Sequence, residues 1–107
     1  MANRKEKLQS ALHEAAAEFL AREAGPQSLI TVTRVDMSDD GKRAIIFISV
    51  LPDSAANAAI GFATRNVREL ASFFRTRVRG VFPPHIEFMI DKGEKNRQRL
   101  DELSLEK

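Results

Sequence analysis

Apolar residues recur at helical spacing near the start of the chain. Leu8, Leu12, Ala15, Ala16, Phe19 and Leu20 fall on one face of a helix, with polar and charged residues between them. The intervening alanines favour helix. Asn3 and Glu6 have the spacing of a capping box. Gly25 and Pro26 provide the stop signal. The spacing predicts a first helix over residues 4–24.

The period then shortens to two. Leu29 to Met37 is rich in Ile, Thr and Val, which favour strands. Ile30 and Val32 share one face, whereas Val35 and Met37 fall on the other. A change of phase near Arg34 indicates either a bulge or partial cover on both faces. Ser38, Asp39, Asp40 and Gly41 make a turn. Ala44 to Leu51 is a second strand, with Ala44, Ile46, Ile48 and Val50 on one face. Ile45 and Phe47 lie opposite, which predicts a central strand. The short loop between these strands predicts an antiparallel hairpin.

Pro52 ends the second strand, and Ser54 is a candidate N-cap. A long helical pattern follows to about Arg79, with Ile60, Ala63, Val67, Leu70, Ala71, Phe74 and Val78 on one face. Gly61 marks a candidate break. Gly80 is expected to cap the far end, and Pro83 and Pro84 prevent continuation. Ile86, Phe88 and Ile90 alternate with Glu87, Met89 and Asp91 as a third strand. Residues 92–107 are mostly charged around Leu100, Leu103 and Leu105. This tail is expected to be partly helical or disordered, and residues 1–91 form the domain.

The order helix, strand, strand, helix, strand predicts an α+β fold. It has a three-stranded sheet with helices on one face, the helix between strands two and three serving as a crossover. That order is the K-homology arrangement of the prokaryotic type, a nucleic-acid-binding module. A K-homology domain ordinarily clamps a single strand with a GXXG loop. Gly25, Gly41, Gly61, Gly80 and Gly93 include no two that are three apart, so this clamp is missing.

Composition narrows the function classes. A chain of 107 residues has room for one core. The absence of cysteine excludes thiolate metal sites, disulfides and cysteine nucleophiles. No apolar run reaches the roughly 20 residues of a membrane helix. The first residues are polar and charged, unlike a secretory signal. A cytoplasmic protein is therefore expected, bacterial rather than organellar. His13 and His85 have no partner at metal-ligand spacing. Asp36, Asp39 and Asp40 lack the spacing of a calcium loop and read as turn residues. No catalytic constellation and no cofactor motif is present.

The net charge is only +2. Its distribution matters more. From Gly61 to Arg79 there are five arginines and one acid, Glu69, so this stretch carries five minus one, or +4. On a continuous helix Arg65, Arg68, Arg75 and Arg79, with Ser72, would lie within an arc of about 80°. Arg77 adds a fifth arginine near the apolar edge. Arginine binds phosphate bidentately, and a helical row of them can track a nucleic-acid backbone. A solvated face with local ion pairs is the alternative. Arg4, Lys5 and Lys7 form a second basic group, placed where the helix dipole opposes cations. Lys42 and Arg43 read as a solvated strand end. Phe62 and Phe73 lie off the main apolar face, where they could stack on bases or pack on another element; packing is the favoured reading.

Several segments together resemble bacterial ribosome-binding factor A. Val35-Asp36-Met37-Ser38-Asp39-Asp40 is similar to that family's V-x-x-S-x-D hairpin. Ala44 to Leu51 is similar to its second strand. Leu70 to Val78 is similar to its long helix, with Arg75 at a characteristic arginine. Pro84 to Asp91 is similar to its P-x-[IL]-x-F-x-x-D third strand. The resemblance spans about Arg4 to Leu103. It implies a K-homology fold without GXXG and with an Ala-x-Gly helix kink. That kink is expected here at Ala71, Ser72 and Phe73, with Phe73 in the glycine's place. It also implies a non-enzymatic assembly factor, associated with growth in the cold. Such a factor binds the immature small ribosomal subunit and its 16S rRNA and assists late rRNA maturation. A GTPase that promotes release is the further partner implied, and a monomer is expected. The RNA-binding residues expected on this reading are Arg4, Lys5, Lys7, Arg65, Arg68, Arg75, Arg77 and Arg79. A protein-interaction module using Phe62, Phe73 and the charged tail is the competing reading.

Overall fold

A computed structural model of the chain describes residues 4–23 and 29–92. Helix α1 spans Arg4–Glu23, strand β1 Leu29–Met37 and strand β2 Arg43–Leu51. A short 3-10 turn, Asp53–Ala55, leads into α2, Ala56–Arg65. Helix α3 spans Val67–Arg77, and strand β3 spans His85–Ile90. Asn3, Gly25, Pro26 and the charged tail from Gly93 onward, all invoked above, lie outside the described residues.

The sheet has the order β1-β2-β3. Strands β1 and β2 are antiparallel, and β2 and β3 are parallel. A parallel pair needs a crossover, and α2 and α3 supply it. The change of phase near Arg34 is a bulge. Pairing runs Val32 with Ile48 and then Arg34 with Phe47, which leaves Thr33 as the extra residue. The bulge turns both Val32 and Val35 inward, and both are buried. Thr33 donates its hydroxyl to Asp91 at 2.5 Å.

The core is apolar throughout, with no buried polar or charged residue among the described ones. Phe74, Leu12, Leu20, Ile46, Ile48 and Leu70 are fully buried. One face of the sheet carries Val32, Val35, Met37, Ala44, Ile46, Ile48, Ile86 and Phe88 into this core. On the other face Ile45 and Phe47 are half-buried, and Glu87 and Met89 are exposed. Helix α1 packs on β1, α2 on β2 and β3, and α3 mainly on α1.

The crossover differs from the sequence expectation in four places. Ser54 is not an N-cap, because it lies inside the 3-10 turn and Ala55 precedes α2. Gly61 sits within α2 and does not break it. Ala71, Ser72 and Phe73 lie in the middle of α3, with no interruption of the helical backbone there. Helix α3 ends at Arg77, and Gly80 lies beyond its extended C-cap, Val78.

The interruption falls at Asn66 instead. Its backbone has φ −104° and ψ 15°, in the bridge region between helix and strand. Its side-chain amide donates to the Phe62 carbonyl at 2.8 Å. The Asn66 backbone N–H is shared between the Phe62 carbonyl at 3.2 Å and the Ala63 carbonyl at 3.1 Å, so the last turn of α2 tightens towards 3-10 bonding. The Asn66 carbonyl then accepts from Leu70 N–H at 3.0 Å and starts α3.

Candidate nucleic-acid interface

The break at Asn66 splits the row of arginines. Arg65 ends α2, Arg68 and Arg75 belong to α3, and Arg79 lies past its end. The continuous arc expected from periodicity therefore reduces to two residues on one helix. Arg68 and Arg75 are seven positions apart, which is about 10 Å along the axis and about 20° around it. Exposed Ser72 lies between them. Leu70 and Phe74, both with no exposure, hold the opposite side of α3 in the core.

All five arginines are exposed, but they are not equivalent. Arg77 pairs with Glu18 of α1. Its guanidinium carbon also lies 4.7 Å from the centroid of the Phe73 ring. Arg22 of α1 approaches the same ring at 5.5 Å. The Phe73 ring in turn lies 6.1 Å from that of Phe19, tilted by 43°. Arg77 and Phe73 thus belong to the junction of α1 with α3. Phe62 is half-buried against the core. Both phenylalanines singled out by periodicity are packing residues.

Among the described residues, ion pairs engage Lys5, Arg34 and Arg77. None engages Arg65, Arg68, Arg75 or Arg79. An arginine outside an ion pair has its fork of donors available for an anion.

The N-terminal basic group divides as well. Arg4 and Lys7 are exposed, whereas Lys5 is half-buried and its ammonium reaches Asp39 Oδ1 at 2.8 Å. This hydrogen bond, reinforced by the charge, holds the Asp39 carboxyl below its ordinary value of 3.8. The Asp40 carboxyl is lowered first by the Ser38 hydroxyl, which donates to it at 2.6 Å, and then by the Lys42 backbone N–H at 2.9 Å. Ser38 Oγ also accepts from Arg43 N–H at 3.0 Å. Gly41 closes this turn with φ 73°, a conformation that favours glycine. Asp39 and Asp40 are therefore occupied in the hairpin turn. His13 on α1 and His85 at the start of β3 stand on different elements.

One exposed residue lies outside every periodic segment and carries no sequence signal of its own. Phe82, in the loop between α3 and β3, is 86% exposed. It shares a shallow groove of about 370 Å³ with Arg75, Val78, Arg79, Gly80 and Val81. The clue in the sequence is a bulky residue held between Gly80 and Pro83-Pro84, where neither helix nor strand can hide it.

Comparison with known proteins agrees with the fold and with the resemblance. The family described as Ribosome-binding factor A matches residues 4–104. A ribosome-binding factor A from Natranaerobius thermophilus is 31% identical over 106 residues, covering 94% of this chain and 79% of that protein. The crystal structure of ribosome-binding factor A from Thermus thermophilus superposes with a TM-score of 0.71 at 27% identity. It covers 82% of this chain and 97% of its own. A homology model of the Thermus thermophilus protein, fitted into a cryo-electron-microscopy map of a 30S complex, gives a TM-score of 0.69 at 26% identity. That match covers 81% of this chain and 94% of the other.

Proposed function

The chain belongs to the ribosome-binding factor A family, and from that premise we propose that it binds the immature 30S subunit and contacts its 16S rRNA through the arginine side of α3. The observation that carries this reading is the pair Arg68 and Arg75. Both are exposed, in register on one helix, and outside the ion pairs of the described residues. Leu70 and Phe74 fix that helix to the core, so the two guanidinium groups are presented on a rigid support. Arg65 at the end of α2 and Arg79 just past α3 flank this pair, and Arg4 and Lys7 are further exposed cations on α1. Lys5 and Arg77 contribute less, because binding RNA through them would require breaking their pairs with Asp39 and Glu18.

The protein acts by binding and not by catalysis. It assists late rRNA maturation in the cytoplasm, works as a monomer and leaves the subunit with the help of a GTPase. The competing reading, a protein-interaction module, loses the part of its support that came from Phe62 and Phe73, because both are packed inward.

Sedimentation tests the proposal. The chain should co-sediment with free 30S subunits and not with translating ribosomes. Arg68→Gln with Arg75→Gln should weaken that association and flatten its salt dependence. An unchanged salt slope would show that α3 does not face RNA.

A further inference from the structure

We infer that Phe82 is a stacking platform for an unpaired nucleobase, with Arg75 and Arg79 holding the phosphates beside it. This deepens the proposed reading and rests on it. The Phe82 ring makes none of the ring contacts found among the described residues, which involve Phe19, Phe47 and Phe73. Its exposure is not the result of a loose segment. Val78 N–H bonds to Phe74 O at 3.0 Å on one side, and His85 N–H bonds to Lys42 O at 2.8 Å on the other. Gly80 turns the chain with φ 76°. Pro83 restricts Phe82 to extended conformations, and Pro84 is buried. A stiff, anchored loop holds one aromatic ring out into water.

The surroundings favour RNA over a protein partner. Protein hot spots lie within apolar patches, but among the described residues Phe82 has no large exposed apolar neighbour. Leu29 and Leu51 pair at the opposite end of the sheet, and Met89 pairs with Phe47 in mid-sheet. Two arginines outside any ion pair of the described residues line the groove with Phe82 instead. Lys42 and Arg43 stand at the same end of the sheet, because His85 pairs with Arg43. The two acids of that turn are both engaged, Asp39 by Lys5 and Asp40 by Ser38 and Lys42 N–H. An aromatic face beside cations is how sequence-tolerant single-strand binders hold a nucleotide. A base inside a duplex offers no free face, so the ligand is a single-stranded stretch.

The chain contains no Trp and no Tyr, so Phe82→Trp installs a single fluorophore at the proposed contact. Its emission should be quenched by a single-stranded RNA of about twelve nucleotides, and much less by the same strand annealed to its complement. Phe82→Ala should weaken binding of that strand by roughly fivefold to a hundredfold while leaving the salt slope unchanged. Arg75→Gln should lower the slope by about 0.7. The inference is overturned if the wild-type chain fails to bind the strand at low salt. It is overturned equally if the duplex quenches as strongly, or if Phe82→Ala changes strand binding by less than about twofold. If Phe82→Ala weakens only 30S association and not strand binding, the ring docks on a ribosomal protein and the inference is wrong. Retained sensitivity of 30S association to Arg68 and Arg75 would then leave the proposed function standing. Loss of that sensitivity as well would remove both.

Discussion

The guanidinium of Arg77 lies 4.7 Å from the centre of the Phe73 ring, one helical turn away on α3, and it also pairs with Glu18 of α1. A single arginine thereby ties α3 to α1. Its neighbours Arg68 and Arg75, on the same helix, make no ion pair among the described residues. Residue type alone does not separate these roles. Packing does.

Arg77→Gln should lower stability by about 0.5 to 1.5 kcal/mol, from an exposed ion pair and a cation–π contact of modest size. Its effect on the salt dependence of 30S association should be small. Urea denaturation and salt titration of the same variant measure the two quantities. A large drop in slope with unchanged stability would reverse the assignment.

The double variant Arg68→Gln with Arg75→Gln should behave in the opposite way. Its stability should stay within about 0.5 kcal/mol of the parent, since both residues are exposed and outside the core. The slope of log affinity against log salt should fall by about two, one for each phosphate no longer neutralised. Filter binding or sedimentation at several salt concentrations reads this directly.

Phe74 and Phe82 offer a contrast between two residues of the same type. Phe74 has no exposure, so Phe74→Ala should cost about 3 to 5 kcal/mol through reduced burial and a residual cavity. Phe82→Ala should change stability by no more than about 0.5 kcal/mol, because the ring is already in water. Denaturation midpoints of the two variants check this.

The hairpin turn should respond to acid. Asp39 and Asp40 both have carboxyls lowered in the folded state from an ordinary value of 3.8. A depressed folded value means that their stabilisation is fully present above the unfolded value. It is lost as pH falls through the lower folded values. Asp40→Asn should therefore lose less stability than the parent between about pH 5 and about pH 3. An equal loss in both would show that the turn carboxylates do not contribute.

Much of this architecture is legible in residue order alone. Leu12, Ala15, Ala16, Phe19 and Leu20 define the buried face of α1 as their spacing requires. Ala44, Ile46, Ile48 and Val50 do the same for β2, with Ile45 and Phe47 behind them marking a central strand. The bulge at Thr33 is visible as a change of phase, though sequence leaves cover on both faces as an alternative. These features depend on short-range periodicity, which the order of residues fixes directly.

The site is legible only as a concentration of arginines. Its geometry depends on where the crossover helix breaks. Gly61 and the segment Ala71-Ser72-Phe73 look like breaking points, yet the chain stays helical through both. Asn66 breaks instead, at a place where α2 can pack on β2 and β3 while α3 packs on α1. The break lets the two helices meet different partners, so tertiary contact chose among locally permitted positions. The same contact drew Arg77 and Lys5 into ion pairs, left Arg68 and Arg75 outside them, and held Phe82 in water. Residue order determined which side chains this protein has on each face of its elements. Only the packing of α3 against α1, and of the loop against the end of the sheet, decided which of them remain available to bind.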